Sequence, residues 1–254
     1  MSSWSGKRKF FYSSIFFTLI IAVAVPLFYF VFYDRPTCFD GKRNGDEQEV
    51  DCGGSCEKIC QFQSKNVSIL WSRAFEVSLG VYNLATYIEN PNLDLKAEDV
   101  PYVFRLFDDK NLLVAEKKGR ANIPPQSSFV IFEPNITTGN RNVKRVFFDF
   151  ETDPLWREVP QDELPENILK VKTQQISKNQ TSLKLEVEIE NVSFDRVSNI
   201  DTTAILYDRE GNVIEISKTV IDVIEGEGVE KAVFTWPNLD PLDISRSEII
   251  PVVR

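Results

Sequence analysis

Apolar residues are distributed along this chain in two contrasting ways. From 10 to 33 they run almost unbroken, FFYSSIFFTLIIAVAVPLFYFVFY, with Ser13, Ser14, Thr18 and Pro26 as the interruptions. A helix of that length rises about 36 Å, enough to cross a hydrocarbon layer about 30 Å thick with some tilt. A core helix of a soluble protein would need cover on every side, so a membrane anchor is expected. From Val67 onward the apolar runs are short and separated by Asn, Asp, Gly and Pro. The clearest is 183–190, LKLEVEIE, where Leu183, Leu185, Val187 and Ile189 share one face and Lys184, Glu186, Glu188 and Glu190 the other. That period of two predicts a half-buried strand. Further strands are expected at 74–79, 82–88, 102–107, 129–132, 143–150, 203–207, 213–216, 231–236 and 249–253. Many short strands with turn residues between them predict an all-β fold of antiparallel sandwiches.

Laid side by side, the two halves of the β region repeat. Ile88-Glu89-Asn90-Pro91 answers Ile189-Glu190-Asn191-Val192, and Phe104-Arg105-Leu106-Phe107-Asp108 answers Ala204-Ile205-Leu206-Tyr207-Asp208. Phe132-Glu133-Pro134 answers Trp236-Pro237 with one residue dropped. Two copies of one domain are therefore expected, each of a size that folds independently. The stretch 153–167, DPLWREVPQDELPEN, is rich in Pro and acids, as a linker would be. Leu106 and Leu206 are expected to point into the cores. Asp108 and Asp208 are expected to open turns by bonding nearby backbone amides, and Gly211 to supply a left-handed position. Core packing is the expected role of Phe104, Phe107, Tyr207 and Trp236.

The flanks of the apolar run orient it. Lys7, Arg8 and Lys9 abut its N-terminal end, whereas Arg35, Lys42 and Arg43 on the far side are scattered among acids. The positive-inside rule then predicts a cytoplasmic N-terminus and an external C-terminal bulk. Phe28, Tyr29, Phe30, Phe32 and Tyr33 would sit near the outer interface and Trp4 near the inner one. A cleaved signal peptide is the alternative, since Ala22-Val23-Ala24 has the small-residue pattern; cleavage there would leave VPLFYFVFY as an apolar new terminus, which favours an uncleaved anchor.

All four cysteines, Cys38, Cys52, Cys56 and Cys60, lie just beyond that run. In an oxidising compartment they predict two disulfides, in any of three pairings, stapling a segment too small to bury a core. A four-thiolate zinc site is the competing chemistry, but the spacing C-x13-C-x3-C-x3-C lacks paired short knuckles. The same segment carries a partial calcium-loop pattern, with Asp40, Asn44, Asp46 and Asp51 at ligand positions and Gly45 at the sixth. Lys42 occupies a position that needs an oxygen, and Asp51 replaces the usual bidentate Glu. A solvated acidic turn is the plainer reading.

Two resemblances add to this. The pattern C-x-D-G-x-x-N-G-D-E-x-x-V-D-C-G-G-x-C resembles a cysteine-rich motif of secreted and surface-anchored bacterial proteins, which implies a location and no particular activity. ILYDREGNVIEIS, preceded by EIEN and followed by Gly226-Glu227, resembles the FxLYD-type immunoglobulin-like sandwich, a fold also seen in the late-embryogenesis-abundant type 2 group. FRLFD matches its core in the first copy; in the second, Ala204 stands where Phe is expected, and the first copy has Pro124-Pro125-Gln126 in place of the Gly-Glu step. The resemblance implies two tandem immunoglobulin-like domains, and a fold does not fix a function. The expected organisation is a tail at 1–9, a transmembrane helix at 10–33, a cysteine-rich segment at 34–63, sandwiches at 64–152 and 168–254, and the linker at 153–167.

Composition removes whole classes of chemistry. The chain has no histidine, so Ser-His and Cys-His nucleophile pairs and histidine metal sites are excluded. It carries no P-loop, dinucleotide, G-x-S-x-G or H-E-x-x-H pattern, and paired acids such as Asp108-Asp109 fall at turns, so no enzyme is expected. A net charge of −9 disfavours nucleic acid. Sequons at Asn66, Asn135, Asn179 and Asn191 are glycan acceptors if the cell is eukaryotic. The residues therefore predict a non-catalytic, membrane-anchored structural or protein-binding module, with the membrane and an unidentified protein as partners. The alternatives are an accessory subunit of an envelope secretion or pilus assembly docked through its helix, and a calcium-responsive surface protein.

Overall fold

A computed structural model of the chain describes residues 4–32, 35–60, 64–139, 141–160, 168–178, 182–237 and 244–253. Two compact units emerge, 1–56 and 57–254.

The first unit holds helix α1, Trp4–Phe32, and the loops after it. Residues 9–30 are long and apolar enough to cross a membrane, and none of that stretch is covered by protein. Phe10 is 79% exposed and Phe30 88%. Thr18 donates to the Ser14 carbonyl (2.9 Å), which satisfies its hydroxyl within the helix. Pro26 has no N–H for the carbonyl four residues earlier.

The second unit is a set of antiparallel sheets. Its strands are β1 (Ser68–Ser78), β2 (Val81–Asn90), β3 (Leu95–Phe107), β4 (Leu113–Ile123), β5 (Ser127–Thr137), β6 (Arg145–Phe150) and β7 (Arg157–Glu158). They are followed by β8 (Leu169–Lys178), β9 (Ser182–Asn191), β10 (Val197–Tyr207), β11 (Val213–Ile224), β12 (Val229–Pro237) and β13 (Arg246–Val253). The sheets run β1-β2-β5 and β4-β3-β6, then β8-β9-β12 and β11-β10-β13. The same order thus occurs twice, and each pair of sheets encloses its own core.

The strands absent from the sequence reading are β4, β7 and β8. Inward positions of β4 before its last residue, Ile123, are small: Ala115 and Ala121 pack on the core, and a Cβ at Gly119 would stand 2.4 Å from the Tyr102 ring. Strand β8 buries Leu169 and then runs exposed along an edge, so neither strand shows apolar alternation.

The aromatic bulk differs between the cores. In the first, Phe104 is fully buried against Phe148, with centroids 4.9 Å apart, and Tyr102 lies edge-on at 5.8 Å. In the second, Ala204 occupies the place of Phe104, and Phe234 stacks with Trp236 at 6.2 Å from the opposite sheet. Register corrects one sequence match: Trp236 pairs with Leu183 on β9, and the residue opposite the corresponding Tyr82 is Ile136 rather than Phe132. Period-two geometry sends Phe132 to the other face of its strand.

That other face is covered. Phe75 and Ala85 form one cluster with Ile205, Tyr207, Val213 and Ile216, and Phe132, Tyr87 and Trp71 pack on it, so the outer face of the β1-β2-β5 sheet meets that of β11-β10-β13. Arg73 donates to the Val213 carbonyl (2.7 Å). Tyr87 and Tyr207, one from each repeat, donate to the two oxygens of Glu248, each at 2.8 Å. Tyr207 thus packs between the repeats rather than inside one, and Phe107 pairs with the half-exposed Phe147 on the outside of the first (5.5 Å).

The stretch expected as a linker begins as part of the first repeat. Trp156 is buried in that core, Val159 donates to the Asp94 carbonyl (2.7 Å), and β7 pairs with the start of β3. Two large apolar side chains, which a solvated linker would not hide, make the difference. Residues 161–167 lie outside the described ones.

Candidate functional site

All four cysteines are disulfide-bonded, which leaves no thiolate for zinc. Cys38 pairs with Cys56, their Cα atoms 5.6 Å apart, and Cys52 and Cys60 are oxidised as well. Glu47 approaches the Cys38–Cys56 sulfurs, but a disulfide sulfur is not the thiolate that binds a metal.

The residues of the calcium-like pattern are placed as follows. Asp40 accepts from the Asn44 amide (2.8 Å) and from the Lys42 and Thr37 backbones, and Asp51 accepts from the Gly41 N–H with both oxygens (3.0 Å each). Asp46 accepts instead from the Ser55 hydroxyl (2.7 Å). Asp40 and Asn44 are therefore brought together, while Asp46 turns to a separate partner. These bonds favour the charged forms: Asn44 first, then the Lys42 and Thr37 amides, hold the Asp40 carboxyl below its usual range, and Ser55 does the same for Asp46. Gly54 is required here, because a Cβ would stand 2.1 Å from the Asp46 carbonyl oxygen.

The repeat signatures are built alike. Asp108 accepts from the Lys110 and Leu112 amides (2.9 Å each), and Asp208 from the Asn212 amide (2.7 Å), with Asn111 and Gly211 at positive φ in the two turns. Leu106 and Leu206 are fully buried. Two further residues had only their repeated Ile-Glu-Asn context as a signal. Asn90 is buried and donates to the carbonyls of Leu95 (2.9 Å) and Pro124 (2.8 Å); Asn191 donates to those of Asp195 (2.7 Å), Ile224 (3.3 Å) and Glu225 (3.2 Å). Each pins two loops together. Asn191 is consequently not a glycan acceptor in the folded chain, whereas Asn66 and Asn135 are exposed and Asn179 lies outside the described residues. The Gly226-Glu227 step and its Pro-Pro-Gln counterpart make one turn: Gln126 and Glu227 both have positive φ and donate to Asn92 O (2.7 Å) and Ser193 O (2.9 Å).

Among the described residues of the second unit is a cleft of about 690 Å³. It is bounded by residues 120–125 at the end of β4, 129–132 on β5, Tyr102 and the start of β3, with Asp201, Thr203, Lys218, Val252 and Val253 contributed by the second repeat. Each cation lining it has its own acid: Lys96 with Glu98 (3.0 Å), Arg120 with Asp99, Lys218 with Asp201. Ala97, Ile123, Phe129 and Ile131 supply an apolar floor that belongs to the first core. A cleft of paired charges over aliphatic and aromatic groups is suited to binding. Tyr102 at its end donates to Glu133 (2.7 Å), and burial first, then that carboxylate, pushes its phenol pKa up.

No protein-family model and no curated protein matches this chain. Among solved structures it is similar to red sea bream transglutaminase, at 12% identity and a TM-score of 0.21 over 74% of this chain and 31% of that one. It is also similar to a putative β-galactosidase from Bacteroides fragilis, at 10% identity and a TM-score of 0.21 over 67% and 32%. The chain thus spans about a third of the length of these neighbours.

Proposed function

We propose that the chain is a non-catalytic, single-pass membrane protein whose disulfide-stapled collar and two immunoglobulin-like sandwiches stand outside the cytoplasm as a protein-binding module. The observation that carries this reading is the apolar, uncovered helix at 9–30, followed directly by cysteines that are all oxidised. Apolar side chains exposed on every face of a helix are stable in lipid and costly in water, and disulfides persist where the compartment is oxidising. The recurrence of one strand order, one buried asparagine and one aspartate turn supports two copies of a single fold.

Packing of the two repeats through an apolar face and the tyrosine–Glu248 clasp favours a stiff unit that presents its sheet edges and loops as one surface. Anchoring confines that surface to the membrane plane and raises its effective concentration for neighbours. The test is labelling of intact cells with a membrane-impermeant thiol reagent, with and without an impermeant reductant. Labelling that appears only after reduction is the expected result; labelling without reductant, or only after lysis, overturns the reading.

A further inference from the structure

The two repeats share one strand order but differ at one edge. In the second, β11 and β12, which belong to opposite sheets, lie against each other along that side. In the first, the corresponding β4 and β5 stand apart over much of their length, and the cleft occupies the space between them. Two of its walls are unbroken runs of the chain, 120–125 and 129–132, and the second repeat supplies the rest with Asp201, Thr203, Lys218, Val252 and Val253. Alternate side chains of a strand point to opposite faces, so a run of consecutive residues can line one cleft only through its backbone edge. The side chains of β5 are already used. Phe129 and Ile131 are buried in the first core, and Val130 and Phe132 pack in the cluster between the repeats. Among the described residues β5 has β2 as its single sheet neighbour, and β4 has β3.

The occupant must therefore offer backbone donors and acceptors to a strand edge and an apolar side chain to the floor at every second position. It needs no net charge, because the cations lining the cleft are matched by acids. We propose that this cleft captures an extended, uncharged peptide segment of a partner protein, which adds a strand to the β5 edge and closes the first repeat as β12 and β11 close the second. Strand addition of this kind draws affinity from main-chain hydrogen bonds and specificity from pockets for alternate side chains. This rests on the reading of the chain as a protein-binding module and names the chemistry of its partner.

The experiment uses the full-length protein in detergent micelles and fluorescein-labelled synthetic peptides of about six residues, a typical strand length. One set alternates Val or Ile with Thr or Ser. A second has the same side chains with backbone N-methylation at alternate positions, in both phases. A third has the same composition in block order. Fluorescence anisotropy is expected to show saturable binding of the alternating set, weakened at least about tenfold by N-methylation in one phase and by block order. Amide exchange at 129–132 is expected to slow on binding.

Ala121→Arg, at a position that both lines the cleft and packs on the first core, is expected to abolish binding at a cost in stability. Binding indifferent to N-methylation in both phases, or no binding by any set, overturns the proposal; the N-methylated peptides decide the matter if Ala121→Arg fails to fold. The topology labelling above is independent, so its success alongside failed peptide binding removes the cleft assignment and leaves the membrane-anchored module intact.

Discussion

The two repeats are solutions to the same packing problem with different parts. In the first, the ring that fills the core stands on β3, where Phe104 meets Phe148 of β6. In the second, β10 carries Ala204 and the volume comes across the core from Phe234 and Trp236 of β12. What is held constant is the polar scaffolding: a buried asparagine at the end of the second strand of each set, and an aspartate at the turn after the third. Cores accept different residues if volume is kept, whereas a loop carbonyl with no donor has no substitute. The difference also has a consequence at the edge, since the second repeat is closed between β11 and β12 and the first is open between β4 and β5.

The largest effect is expected from exchanging the core residues. Phe104→Ala should cost about 3–5 kcal/mol and Ala204→Phe about 1–3 kcal/mol, read from denaturant midpoints of the full chain in detergent. Adding Phe234→Ala to Ala204→Phe should recover part of the loss, and additive losses would break the idea that volume is traded across the second core.

Next come the asparagines. Asn90→Ala and Asn191→Ala should each cost about 1–3 kcal/mol, because each strands loop carbonyls in a buried site. Hydrogen exchange should rise in both loops that each residue joins, and a rise in one loop alone would contradict the pinning role.

Smaller losses are expected for Asp108→Ala and Asp208→Ala, and they separate by salt. The Arg141 guanidinium, with the Leu112 and Lys110 amides, holds the Asp108 carboxyl below its usual range; for Asp208 it is Asn212, by side chain and amide. A lowered folded pKa means that the stabilisation is present above the ordinary carboxylate range and lost as pH falls through the folded value. Added salt should shrink the loss for Asp108→Ala and leave that for Asp208→Ala unchanged.

The smallest effect concerns Glu215, whose place opposite Leu206 is taken by Ala115 opposite Leu106 in the first repeat. Burial pushes its carboxyl up to about 7, so the fold favours the protonated form, and that advantage is lost as pH rises through 7. Glu215→Ala should therefore raise the melting temperature at pH 8 by more than at pH 5. An equal change at both would remove the carboxylate as its cause.

Some of this was legible in the chain itself. A period of two along 183–190, an apolar run long enough to span a bilayer, clustered cysteines and a repeat near one hundred residues are local or self-comparing signals, and physics acts on them without reference to the rest of the fold. Leu106, Leu206, Asp108, Asp208 and Gly211 were placed correctly for that reason, since turn chemistry is decided within a few residues. Strand β4 was hidden because its small residues answer to the ring of Tyr102, a neighbour distant in sequence. Phe132 is mismatched because register depends on the partner strand; Tyr207, expected in a core, packs between the repeats and Trp156, expected in a linker, is buried in the first core, because an apolar side chain does not name the surface that covers it. Sequence alone determined the apolar helix, most of the strands and the two-fold repetition. The tertiary structure decided which cysteines join, which faces meet between the repeats and which edge stays open, since each of these depends on distances between residues that only folding brings near.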